Sequence, residues 1–494
     1  MNDDLAESAQ QALDVTLAAS STIREAIART LPIASTQLLS LQVPAIILDP
    51  DDYHWDKSKA SMPLKTRIAE AKLVDSMVPV SKLSIGQCGK SVARSYMAAL
   101  DRLVPVTAAG SNMHATNSTQ ALDLQFQAAR DRYRGAMRYL ESADERAQAQ
   151  SKISTYIAKQ QAWAQAVQQY SEDQARQRVI IEEHETRADK QQERYLEWLK
   201  ENTSKSKANV QARYMDWVVH GFKHEAEFNF AIVDSSSALK RVEMSKEALR
   251  NWTVVDGDGV SEYSGVVLDP SGWADLLQQK MEQSKMGASP PWMHISAKVS
   301  KSSFESVEVG QEMVSTFASL GLLDGSKEAM SFILSLEVQV SMDCMLVEIS
   351  RPWLHAELFA DPELDAVDGL PLSPGPEKLH QYVQENKTIP AQYAKFPSYN
   401  TAFVVACNIE LEFSGDTSAL ESLLDSSDIE LSPSLSYGPF VIPRSSKRSK
   451  VSTESTTTGL RVSLQRPQIV GWVQELLPEL PNPKDAANKL SKST

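Results

Sequence analysis

Few residues in this chain have the type and spacing that chemistry requires. The string SIGQCGKS (Ser84 to Ser91) ends like a phosphate-cradling loop, whose glycines free backbone N–H groups and whose Lys and Ser meet phosphate and magnesium. Ser84 stands where that pattern needs its first glycine, and no hydrophobic strand ending in a magnesium-binding Asp follows. The string therefore reads as a polar turn opening a helix from about Ser91 to Leu103. His220 and His224 stand four apart, which can set two imidazoles on one helix face for a metal. Between them lie Gly221, Phe222 and Lys223 instead of a general-base Glu, and the lysine would oppose a cation. The acidic loops DPDDYHWD (Asp49 to Asp56), DGDG (Asp256 to Gly259) and DPELDAVDG (Asp361 to Gly369) lack the full ligand series of a calcium loop and read as turns. Cys88, Cys344 and Cys407 have no CxxC spacing and no sequence-local His, which argues against a zinc knuckle, a disulfide framework and thiol catalysis alike. No catalytic residue, cofactor or metal is assigned.

Two strand exits remain. ISRPWL (Ile349 to Leu354) and RPQIVGWVQELLPELP (Arg466 to Pro481) each combine Arg, Pro and Trp, and proline ends a β-ladder. They read first as plugs closing the end of a sheet. In the sharper reading, Arg351, Trp353 and Trp472 line a partner-binding groove.

The elements that would carry these residues show in periodicity. The chain has 23 prolines, yet none lies between Pro105 and Pro270, and from Ser111 to Asp256 only Gly135 and Gly221 occur. Ile153, Tyr156, Ile157, Trp163, Val167 and Tyr170 step by three and four, and a second apolar run follows with Val210, Tyr214, Trp217, Val218, Phe228 and Ile232. The segment Asn202 to Asn209 separates the two runs with helix-competing Asn, Thr and Ser. The spacing predicts a long antiparallel helical hairpin with its tip near residues 202–209, flanked by an earlier helix after Asn117. Beyond residue 290 the period drops to two. Ile295, Ala297 and Val299 alternate, as do Phe332 through Leu346, Phe403 through Phe413, and Leu460, Val462 and Leu464, which implies a mainly antiparallel sheet covered on one side. The expected fold is thus multidomain, α and α+β. Residues 1–110 hold an N-terminal amphipathic helix and a mixed segment, 111–253 the helical bundle, 254–289 a linker with a short helix, and 290–494 an α+β domain.

The chain's 494 residues carry 50 basic and 64 acidic side chains, a net charge of -14, with 42% hydrophobic residues. Such a balance excludes a general phosphate-backbone binder, so no nucleic-acid partner is expected. From Phe396 to Pro443 there are seven acids and no Lys or Arg, and the basic Ser/Thr-rich segment Arg444 to Thr458 follows. The N-terminus has neither the basic region nor the apolar core of a signal peptide, and no stretch is apolar enough to span a bilayer, so a cytoplasmic location is expected.

The stretch ARYMDWVVHGFKHEAEFNFAIVDSSSALKRVEMSKEALRN, with DGDGVSEY and SGWADL after it, resembles a segment of uncharacterised fungal proteins over about residues 212–275. The resemblance implies a fungal source and no activity. The functional expectation is a non-enzymatic interaction or assembly protein with a helical arm, which pairs with a protein partner or with itself as a homo-oligomer. The alternative is an α-helical pore-forming or membrane-remodelling protein, with Trp217, Val218, Val219 and Phe222 as membrane contacts. A hydrolase with dispersed catalytic residues stands third.

Overall fold

The computed structural model describes residues 3–31, 33–56, 62–86, 89–105, 152–184, 190, 194, 198, 209–210, 212–223, 238–255, 262–283, 290–300, 336–361, 363–367, 369–418, 421, 434–443 and 451–482. A nine-stranded mixed sheet organises them. Its strands are β1 (Gln37–Ile47), β2 (Leu83–Ile85), β3 (Val267–Asp269), β4 (Trp292–Val299), β5 (Glu337–Ser350), β6 (Ser398–Ser414), β7 (Val451–Ser455), β8 (Gly459–Leu464) and β9 (Gln468–Leu476). The order runs β7–β8–β6–β9–β1–β2, while β5 pairs with β6 and also with β3 and β4. The β1–β2 pair is parallel and the others are antiparallel.

Both faces of this sheet are covered. On one face, α1 (Asp3–Thr30) lays Ala19, Ile23, Ile27 and Leu31 against Val338, Val340, Val404 and Leu411, joined by Phe440 and Ile442 of a hairpin near the C-terminal end. On the other, α2 (Leu64–Val74) and α6 (Trp273–Gln283) bring Val74, Trp273 and Leu277 against Val347, Phe403, Val405 and Trp472. Each fully buried side chain of this size contributes about 1.5–3 kcal/mol. A separate cluster gathers α3 (Val92–Leu100) and α5 (Ala238–Asn251) around Trp353, Phe359 and Phe396. The remaining described helices are α4 (Lys152–His184), α7 (Pro376–Gln384) and a helical stretch over residues 212–220.

The expected fold class is therefore corrected. Among the described residues there is no long antiparallel helical hairpin or bundle. The two long described helices are α1, which packs on the sheet, and α4, which has residues 212–220 against its first half through Tyr156, Lys159 and Trp163. The proposed tip at 202–208 and the helix expected after Asn117 lie outside the described residues. The physical reason is visible in α4 itself, where Ala166 and Ile181 are buried but Ile157, Val179 and Ile180 are exposed, so no continuous apolar seam exists for a partner of equal length. Nor does the sheet belong to residues 290–494 alone: it takes β1 and β2 from the first hundred residues and β3 from the supposed linker. The expectation of a sheet covered on one side is likewise replaced by two covered faces.

The strand-exit residues form an interior clamp. The chain from Val74 to Gly86 runs across the sheet largely without regular structure, so its buried carbonyls need partners. Arg351 Nη2 donates to Val74 O at 2.7 Å, Gln474 Nε2 to Pro79 O at 3.2 Å and Gln42 Nε2 to Gly86 O at 2.9 Å, while Ser40 Oγ donates to Ser81 O. Arg351 also donates to the Asn400 carbonyl and, at 3.0 Å, to Asn400 Oδ1. Without such a partner, each buried acceptor would cost about 1–3 kcal/mol.

Candidate functional site

The 17-residue β6 cannot hold one register along its length. Residues 398–406 pair with β9, residues 409–414 pair with β8, and the pairing with β5 slips between Cys407 and Glu410. One extra residue is absorbed there, a β-bulge. Asn408 carries it with φ 49, a left-handed conformation that Asn tolerates better than other non-glycine residues. The bulge inverts side-chain parity. Ala402, Val404 and Ala406 face α1 before it, and Ile409, Leu411 and Phe413 face α1 after it, while Phe403, Val405 and Cys407 face α2 and α6. The single alternating run from Phe403 to Phe413 expected from sequence is thus two half-runs on opposite faces.

Asn408 turns its side chain to β5, donating from Nδ2 to Asp343 Oδ2 at 3.2 Å. Asp343 is fully buried and lies opposite Cys407 on one side and His294 on the other. A lone carboxylate there would be costly, and two side chains meet it: the Lys280 ammonium of α6, with Nζ at 3.2 Å from Oδ2, and the His294 imidazole, with Nδ1 at 3.1 Å from Oδ1. The neighbouring thiols are held protonated. Burial, reinforced by the Asp343 charge, pushes Cys407 up to about 12, and burial raises Cys344 well above its ordinary range. They are packing groups, not nucleophiles.

The bulge also opens a cleft of about 700 Å³, in the range of small-ligand sites, with Asn408 forming part of its wall. Its lining is about half apolar, from Leu48, Met281, Ile409 and Leu464 among others, and its charge is negative: Asp49, Asp51, Glu282 and Glu410 against the single guanidinium of Arg466. These come from the turn after β1, from α6, from β6 and from the β8–β9 connection. Asp49 is fixed because its carboxylate accepts the Asp51 N–H at 3.3 Å as the cap of the 3-10 turn Pro50–Asp52. Four carboxylates on low-dielectric walls attract cationic groups.

The residues singled out from sequence lie elsewhere. Arg351, Trp353 and Trp472 are 8%, 0% and 2% exposed. Trp353 Nε1 donates to Gly265 O at 2.7 Å and Trp472 Nε1 to Gln42 Oε1 at 3.1 Å, so all three close the interior instead of lining a groove. Of the membrane-contact candidates, Trp217 and Val218 are buried, with the Trp217 ring stacked on Trp163 at 5.3 Å, whereas Val219 and Phe222 are half-buried. No described helix is long and apolar enough to cross a membrane. His220 is exposed and His224 lies outside the described residues. Among the described residues no group of three potential ligands could hold a metal. Ser91 does cap α3, accepting the Arg94 N–H at 3.2 Å, as the polar-turn reading of SIGQCGKS expects. Asp343, Asn408, His294 and Lys280 were not singled out from sequence. Their available signal was a polar residue inside an apolar strand, in SMDCML and in VVACNIEL. No protein-family model, curated protein or solved structure matches the chain.

Proposed function

We propose that the chain is a non-enzymatic interaction protein whose cleft at the β6 bulge receives Lys and Arg side chains of a protein partner. The charge of that cleft carries the reading: four carboxylates against one guanidinium, with Asn, Gln and Ser hydrogen-bonding groups beside apolar wall that can cover the aliphatic stems of Lys and Arg. Glu410 belongs to the stretch from Phe396 to Pro443 that contains no Lys or Arg, so the charge of the cleft continues along the sequence around it. A second copy of this chain, bringing the basic residues Arg444, Lys447, Arg448 and Lys450 that precede its β7, is one such partner, and a cytoplasmic setting belongs to the same proposal. Fluorescence anisotropy of a labelled Lys/Arg octapeptide tests it. Binding that weakens with salt, and by about fivefold in the double variant Glu282→Gln, Glu410→Gln, is expected from two partly exposed charge pairs. Equal affinity in the variant, or equal affinity for an acidic octapeptide, would refute it.

One observation favours a second reading, a hydrolase. The His294 imidazole is only partly exposed and is oriented by the buried Asp343 carboxylate, an arrangement that suits a general base. Turnover of a panel of activated esters that disappears in His294→Gln, with folding unchanged, would establish it over the first reading.

A further inference from the structure

A second cavity, of about 270 Å³, has the opposite character. Three basic side chains from three elements line it: Arg24 of α1, Lys82 in the turn before β2, and His380 of α7. No carboxylate lines it, in a chain whose net charge is -14. Its floor is aliphatic, from Ala28, Ile33, Leu38, Leu39 and Val383. Two of the three bases are held in place by the backbone. Arg24 Nε donates to Leu39 O at 2.8 Å, and among the described residues its Nη groups make no hydrogen bond. His380 Nε2 donates to Ser35 O at 3.0 Å, which fixes its tautomer and leaves Nδ1 available. Lys82 Nζ makes no hydrogen bond or ion pair among the described residues. Burial lowers the Arg24 pKa, against the smaller opposite effect of the neighbouring Glu25 carboxylate, which is not part of the lining.

We infer that this cavity is a binding site for a short aliphatic monocarboxylate. The two long cations hold the carboxylate, in the geometry that guanidinium and carboxylate share, and the tail lies on the aliphatic floor. The cavity is open to solvent, so its volume gives the length of chain that it can cover, not a limit on it. At about 30 Å³ per water-sized unit the cavity holds on the order of nine such units, which suits a six-carbon acid of eight non-hydrogen atoms. Neither inorganic phosphate nor a neutral alcohol meets both requirements.

Titration calorimetry of the full chain with hexanoate, 1-hexanol and inorganic phosphate tests the assignment. Hexanoate is expected to bind at least tenfold more tightly than either control. Lys82→Gln is expected to weaken hexanoate about tenfold, the loss of one hydrogen bond to a charged group. Because Arg24 also anchors β1, the complementary variant is Ala28→Leu, which fills the floor and is expected to abolish binding while circular dichroism is unchanged. Absence of hexanoate heat, hexanol or phosphate binding as tightly as hexanoate, or undiminished affinity in both variants, overturns the inference.

Discussion

Replacing Glu70 by Gln isolates the energetic consequence of one buried carboxyl. Glu70 sits on α2 at 4% exposure, and Trp273 Nε1 of α6 donates to its Oε1 at 3.2 Å. Burial pushes its pKa up from 4.5 to about 7, against the smaller opposite effect of the tryptophan bond. The folded protein therefore keeps a proton that the unfolded chain releases between these two values, so its stability falls as pH rises through that window. The contribution is complete below pH 4.5 and lost as pH passes through about 7. The interval converts to about 3 kcal/mol at 1.36 kcal/mol per pH unit. Glutamine has the same shape, accepts the same bond and cannot ionise. The Glu70→Gln variant should match the parent near pH 4.5 and exceed it by about 3 kcal/mol at pH 8.5. Urea denaturation followed by tryptophan fluorescence at five pH values from 4.5 to 8.5 measures the gap. A gap that does not widen with pH would refute the reasoning, since it would place the ionised carboxylate in a solvated or paired environment.

Other substitutions probe the bulge and the clamp. Asn408→Val places a β-branched residue at φ 49 and removes the bond to Asp343, and should cost about 2–3 kcal/mol in chemical denaturation. Asn408→Gly, which tolerates the backbone, should cost less. Lys280→Met leaves the Asp343 carboxylate short of a buried cation and should destabilise by about 3–5 kcal/mol, with Asp343→Asn in the same chain restoring part of the loss. Arg351→Met strips donors from the Val74 and Asn400 carbonyls and should cost about 3 kcal/mol, with faster amide exchange confined at first to residues 74–86. Exchange accelerated evenly over the sheet would contradict the clamp.

The strands after residue 290 were legible because period two is a direct record of one covered face, and it holds along Ile295 to Val299 and Leu460 to Leu464. The second covered face was written as unbroken apolarity in AFVVAC (Ala402 to Cys407), buried at every position, which alternation alone does not register. The helical periodicity of residues 153–170 was real, since it forms α4, but a stripe does not identify what it packs against, and the expected partner helix of equal length is absent among the described residues. Arg351 and Trp353 were recognised as special by type, and their plug role was the plainer of two readings. The Asp343 site escaped because His294, Lys280 and Asn408 meet it from three separate stretches of chain, and only the bulge brings Asn408 round.

The pairing of β1 with β9 sets a timetable for synthesis. Gln42 meets Trp472 across 430 positions, so β1 leaves the ribosome 430 residues ahead of the partner strand it waits for. At ordinary elongation rates that interval is on the order of 20–90 s, during which the edge of β1 opposite β2 has no native strand beside it. A chain stopped anywhere before β9 retains a strand made for pairing and lacks its partner, and such edges associate with other chains. Premature termination in this protein should therefore produce an aggregating species instead of a folded N-terminal fragment.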